Sequence, residues 1–459
     1  MSFNNFIDMF YVDILSIIMI CLVSFVGSIV YFFSRNYMKG DAFYINFSYN
    51  IFMLLFSVML MTITDNLVLF LVEWSFCNWI LTRLITHKST WKAAKASGQK
   101  AFENFALGLI FIFIAFILLN QVTGSYSIQY IVKNPTDSWC SFIALLMLLI
   151  GASTQSALWP FHRWLISSLN SPTPVSAIMH AGIVNAGGFL LVRFAPLYFY
   201  TPKILPIIFS IGLLSALLGS LWKLMQHDVK RMLACSTIAQ MGCMFMQFGL
   251  GLFAAGVAHI CWHGMFKAYQ FLACGSAAQQ KKVDSSCSPH VISYYISFLC
   301  GFLGSYIFLI IHSQNAFIYD SSLIVVAIVF IACAQLSLTL LGNNPLVKLP
   351  KTIVVTGAVA TLYAANIYFF DLLLAPLNLN QPQPLTILHI VGMIMLIVGW
   401  LVIACIKHID YATQLPNWLL RLYVKALNSS QPYPLTITTY RNGYDYLLQD
   451  NSTKNKNQY

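Results

Sequence analysis

The sequence predicts an all-α, polytopic transmembrane bundle of about 13 spans, and three observations carry that prediction. Only 8% of its 459 residues are charged and 59% are hydrophobic, whereas soluble domains carry roughly 25% charged residues. Apolar runs near twenty residues recur along the chain, the length that crosses a hydrocarbon core of about 30 Å, and mean hydropathy is +0.74. The basic residues also sort by loop. Of 25 Lys and Arg, 21 fall in odd-numbered loops, their span ends and the tail, against Lys133, Arg193 and Lys203 at even positions and Lys267 within a span. That asymmetry is what the positive-inside rule produces when the N-terminus lies outside and the C-terminus in the cytoplasm, in a cell (inner) membrane. The net charge of +11 is thereby absorbed by topology, and nucleic acid is not needed as a partner.

The spans are expected at 12–33, 47–64, 66–85, 104–120, 139–158, 174–198, 204–225, 229–249, 251–276, 290–312, 321–342, 351–372 and 384–407. The first lacks the basic flank and small-residue cleavage site of a signal peptide and reads as a true span. The eleven cysteines are scattered singly with no C-x-x-C pair, which suits buried small apolar residues rather than a disulfide framework or a zinc ribbon. Residues 1–410 form the membrane domain. Residues 411–459 form a cytoplasmic segment whose P-N-W-L-L-R-L-Y-V-K-A-L-N at 416–428 reads as an amphipathic interfacial helix before a disordered tail, or as a docking segment for a soluble partner.

An ionisable side chain at membrane depth is a functional hypothesis by default. These are Glu73, His180, His259, His263, Lys267 and, near a span end, Asp371. In H-I-C-W-H-G-M-F-K, His259, His263 and Lys267 are spaced four apart, so they stack on one helix face over roughly 12 Å. Three readings compete. A zinc site is opposed by the cationic Lys267 and by the lack of a carboxylate in the span; the others are separate hydrogen-bonded core groups and a proton relay, for which histidine and desolvated lysine are suited. Upstream, G-A-S-T-Q-S-A-L-W-P-F-H-R-W-L carries Pro160 just after Gln155. A proline removes a backbone donor and breaks a helix, leaving carbonyls free at depth, as ion sites in transporters do; a merely kinked helix is the alternative. Pro172 and Pro174 mark a second interruption before His180. No nucleophile–base set or metal cluster stands out, so no metal, cofactor or enzymatic activity is expected of this chain. Sodium is disfavoured because hard cations prefer clustered oxygen ligands.

P-T-P-V-S-A-I-M-H-A-G, D-V-K-R-M-L-A-C-S-T-I-A-Q-M-G-C-M-F at 228–245, and H-I-C-W-H-G-M-F-K-A-Y-Q-F-L-A-C-G-S, with N-Y-M-K-G-D-A-F-Y-I-N-F and D-N-L-V-L-F-L earlier, resemble the proton-translocating antiporter-like subunits of complex I and multisubunit cation/proton antiporters. The likeness covers about 8–280. Within that superfamily H-A-G-I-V-N-A-G-G-F-L-L-V-R-F-A-P-L, C-S-T-I-A-Q-M-G and R-L-Y-V-K-A-L-N are most similar to the DabB family, membrane subunits of a two-component inorganic carbon transporter. The resemblance implies an antiporter-like inverted-repeat fold with a shortened second half. It also implies a soluble DabA-like zinc partner and cation flow, a proton by preference, coupled to uptake of carbon dioxide as bicarbonate. His180, His259, His263 and Lys267 match the family's positions. Three features depart from it: Gln155 stands where the family has lysine, Ser75 where it has glutamate, with Glu73 about 200° away around the helix, and 290–407 shows no second Pro-broken site. Two further functions remain open, a proton-translocating subunit of a respiratory or antiporter complex and a non-conducting anchor for a soluble enzyme.

Overall fold

The computed structural model describes residues 9–279, 291–312, 320–342, 345–406 and 416–437. Lys281, Lys282, Lys407, Arg441, Lys454, Lys456 and the tail beyond 437 lie outside them. Among these described residues eighteen α-helices follow one another: α1 Ile14–Tyr37, α2 Tyr44–Ile63, α3 Leu67–Ile85, α4 Lys92–Thr123, α5 Ile128–Lys133, α6 Trp139–Gln155, α7 Arg163–Ser167, α8 Thr173–Ala181 and α9 Ala186–Arg193. Then come α10 Ala195–Tyr200, α11 Leu205–Leu224, α12 Val229–Gly249, α13 Phe253–Ala273, α14 Val291–His312, α15 Leu323–Leu341, α16 Pro345–Leu374, α17 Ile387–Ile406 and α18 Asn417–Ser429. The described residues contain isolated bridges but no strand. Nine of the described segments are long and apolar enough to cross a membrane, and Trp139–Gln155 and Ile387–Val402 are shorter apolar helices. The protein is a multi-pass membrane bundle, and each of the thirteen expected intervals holds helix. α12 and α13 fall outside the apolar set, and they carry polar side chains of the site described below.

Three expectations needed correction. The fourth span was placed at 104–120, but α4 starts at Lys92, so it is about 48 Å long. Its first turns, K-A-A-K-A-S-G-Q-K, bury Ala93, Ala94, Ser97 and Gly98 against the bundle, so helix continues where a cytoplasmic loop was expected. Pro172 and Pro174 do not break a helix: they cap and open α8, where the missing N–H is one of the helix's unpaired donors anyway. The interruption comes later, at Gly182, where α8 gives way to a single 3₁₀ turn before α9. Finally, α6 ends at Gln155, ahead of Pro160, and the carbonyls of Ala152, Ser153 and Thr154 are not free. Ala152 O accepts from Ser156 N (2.9 Å) and Ser153 O from Leu158 N (3.0 Å). Thr154 O accepts from Asn104 Nδ2 and Trp164 Nε1, both at 3.0 Å. Backbone N–H groups beyond the helix end, with side chains of α4 and α7 at Thr154, thus satisfy these three carbonyls.

The broken pair α8–α9 lies at the centre and is almost wholly buried, packed by α1, α6 and α13. α11 crosses α12 closely: a Cβ on Gly242 would sit 2.4 Å from Ala216 N, so only glycine permits this approach. α14, α15 and α16 form a second group with its own apolar cluster (Phe308, Ile324, Val329, Ala360) facing Phe209 and Met246 of α11 and α12. α16 runs through Pro350 unbroken.

Candidate functional site

Three helices bring the site together. α8 supplies His180, α12 supplies Ser236, Thr237 and Gln247, and α13 supplies His259, His263 and Lys267. α13 can approach α8 because residue 264 is glycine: a Cβ there would meet Ala181 O at 2.8 Å. This contact sets His263 beside the end of α8, next to the break.

Lys267 is 1% exposed, and its Nζ donates to Ser236 Oγ at 2.9 Å and to Leu233 O at 3.3 Å. Both acceptors are neutral, and among the described residues no carboxylate pairs with it. An amine and an ammonium can each donate two such bonds, so Lys267 can release a proton without losing a partner. The same Leu233 carbonyl accepts from Thr237 Oγ1 at 3.0 Å. With its hydrogen so used, Thr237 Oγ1 accepts from His180 Nδ1 at 3.1 Å. His180 and Lys267 are therefore joined through one threonine and one carbonyl of α12. His180 is fully buried, lies 4.2 Å from the Phe271 ring in a stacked arrangement, and has an unpartnered Nε2.

His263 is buried, and neither ring nitrogen has a hydrogen-bond partner; its ring centroid lies 6.0 Å from that of His259. It is within electrostatic reach of His259, Lys267 and His180. His259 is held at the other end by Gln247 Oε1, 3.2 Å from its Nδ1. α12 therefore fixes both ends of the column and leaves the middle histidine untethered. A buried nitrogen without a partner is costly, and here three of them, with Asn185 Oδ1, line one face of the broken segment and the helix beside it.

Glu73 and Gln155 have separate partners. The Glu73 carboxylate accepts a short hydrogen bond from Ser57 on α2, whose Oγ also accepts from Cys77 Sγ at 3.2 Å. Gln155 Nε2 donates to Asn78 Oδ1 at 3.0 Å, both residues buried. A neutral amide pair thus occupies the slot where the resemblance places a lysine. Asp371 is half-buried on α16 and lines a small void with Ser322 and Asn380. Ser57, Asn78, Asn185 and Gln247 were not singled out from the sequence. Ser236 and Thr237 stand inside the quoted 228–245 stretch, where a polar pair in an apolar helix was the available signal.

Residues 64–288 match the family described as NADH:quinone oxidoreductase/Mrp antiporter, transmembrane. Residues 7–48 match the N-terminal family of complex I chain 5. A probable inorganic carbon transporter subunit DabB1 from Halothiobacillus neapolitanus is 35% identical over 280 residues, covering 59% of this chain and 50% of that protein. NADH-quinone oxidoreductase subunit L of Buchnera aphidicola is 32% identical over 308 residues, covering 63% of this chain and 49% of its own length. The chain thus spans about half the length of these curated relatives. The structure of the Mrp complex from Dietzia sp. superposes with a TM-score of 0.62 at 19% identity, covering 91% of this chain and 52% of that one, a likeness of fold. Both sequence families match in order and the likeness of fold extends over nearly all of the chain, so this chain is similar to the antiporter-like membrane subunits.

Proposed function

We propose that this chain is the proton-conducting membrane subunit of an energy-coupled inorganic carbon uptake complex. His259, His263, Lys267 and His180 carry the proton, and a soluble DabA-like zinc protein on the cytoplasmic side converts carbon dioxide to bicarbonate. One observation carries the reading: an ionisable column with an untethered histidine at its centre, linked through Thr237 and Leu233 O to His180. A structural role would tie those nitrogens down, whereas a relay needs groups that gain and lose a proton. Relatives named as DabB subunits support the choice of partner and substrate. The charge sorting supports an N-terminus outside and a C-terminus inside, in an inner membrane as the proposed site.

Proton flux into proteoliposomes, read with an internal pH dye, tests the relay. His263→Ala removes no hydrogen bond among the described residues, so the variant should fold normally and abolish flux. Unchanged flux would sink the relay and favour a non-conducting anchor. A second reading, a proton-translocating subunit of a complex I-like or antiporter assembly, draws on the complex I relatives. The neutral Gln155–Asn78 pair counts against it. Material co-purified from native membranes separates the two: a large soluble zinc protein supports carbon uptake, and quinone-linked or antiporter subunits overturn it.

A further inference from the structure

A cleft of about 750 Å³ opens between the helix-breaking turn and the surface helix α18. Three cations line it, Arg163 from the bundle and Arg421 and Lys425 from α18, and among the described residues no carboxylate does. His162 also lines it; its Nε2 lies 3.0 Å from Ser429 O, while its buried Nδ1 has no hydrogen-bond partner. Asn428 and Ser429 line one end, and the rest of the wall is apolar, with Trp159 and Pro160 from the turn and Leu420 and Val424 from α18. Trp418, Leu422 and Val424 of α18 are exposed. A helix with basic residues beside exposed aromatic and aliphatic ones suits the boundary between headgroups and acyl chains.

We propose that this cleft binds an anionic phospholipid, its phosphate held by Arg421, Lys425 and Arg163 and its acyl chains lying along Leu420, Val424 and Trp159. Charge complementarity selects an anion, and the apolar wall selects one that carries hydrocarbon. Inorganic phosphate shares the headgroup chemistry but has no use for that wall. The site is independent of the proton column, and its test does not depend on conduction.

The full chain, purified from membranes holding phosphatidylglycerol and phosphatidylcholine, is analysed for retained lipid by native mass spectrometry. Phosphatidylglycerol should be enriched. Each cation near an anionic lipid contributes about fivefold in affinity, so Arg421→Gln with Lys425→Gln should weaken retention about 25-fold. The charge-keeping pair Arg421→Lys with Lys425→Arg should retain the lipid, and gel filtration of both variants controls for folding. Equal retention of the two lipids, or retention unchanged by the glutamine pair, overturns the proposal. Displacement of the bound lipid by inorganic phosphate would assign a free-anion site instead. Loss of a soluble protein from the glutamine pair with lipid retention intact would assign a protein interface and equally overturn it.

Discussion

Gln155 and Asn78 meet across the contact of α6 with α3 through one hydrogen bond and no formal charge. Truncating either side chain strands the other's buried amide group, which costs about 1–3 kcal/mol. Gln155→Ala and Asn78→Ala should each lower thermal stability by that order, and the double variant should cost less than their sum. Thermal unfolding in detergent measures this, and strict additivity would mean that the pair is not coupled. The histidine–lysine column was legible because its members lie four apart on one helix. Asn78 was not, because it comes from 77 positions away; Thr237 likewise reaches His180 across 57. Spacing along one helix is written in the chain, but a partner from another helix is set by packing.

At the scale of elements, Arg193 shows how a residue's placement changes its meaning. Charge sorting treats it as one of the few basic residues on the outer side. In the fold it ends α9 with its guanidinium inside the bundle. It donates to Asp13 Oδ2 at 2.6 Å, Ser16 Oγ at 2.9 Å and Thr62 O at 2.6 Å. Asp13 also caps α1 by accepting from Ser16 N at 2.7 Å, so one ion pair joins the second half of the broken helix to α1 and the end of α2. Removing one partner of a buried pair costs about 3–5 kcal/mol because the other charge is stranded. Arg193→Gln should therefore destabilise strongly, and adding Asp13→Asn should recover part of the loss. Urea titration followed by tryptophan fluorescence would show it. Helix existence was readable from the sequence, since each expected interval holds helix. The break at 182–185 was not, because Gly182 and Asn185 stand inside an apolar run whose composition still reads as a single span.

Across the whole molecule, segment 429–436 is held against the bundle. Tyr433 N donates to Ser167 Oγ at 3.0 Å, and its ring lies under Arg163 at 4.8 Å and Lys100 at 5.3 Å. Gln226 Nε2 reaches Ser430 Oγ at 2.9 Å, and Asn170 Nδ2 reaches Thr436 O. A chain truncated after Asn428 should keep the column intact while residues 97–100 and 162–170 exchange amide hydrogens faster, which hydrogen–deuterium exchange would read. Protection unchanged there would mean that these contacts contribute nothing. The amphipathic pattern of 416–428 was legible as a surface helix, but its return to the break was not, since the bonds that hold it span 200–268 positions.

That return has a consequence in time. At ordinary elongation rates, 266 positions separate the synthesis of Asn170 from that of its cap by roughly 13 to 50 seconds. During that interval His162, Arg163 and Asn170 are already made but lack the carbonyls that will hold them. An unfinished chain therefore presents this basic edge without the carbonyls of Ser429, Gln431 and Thr436.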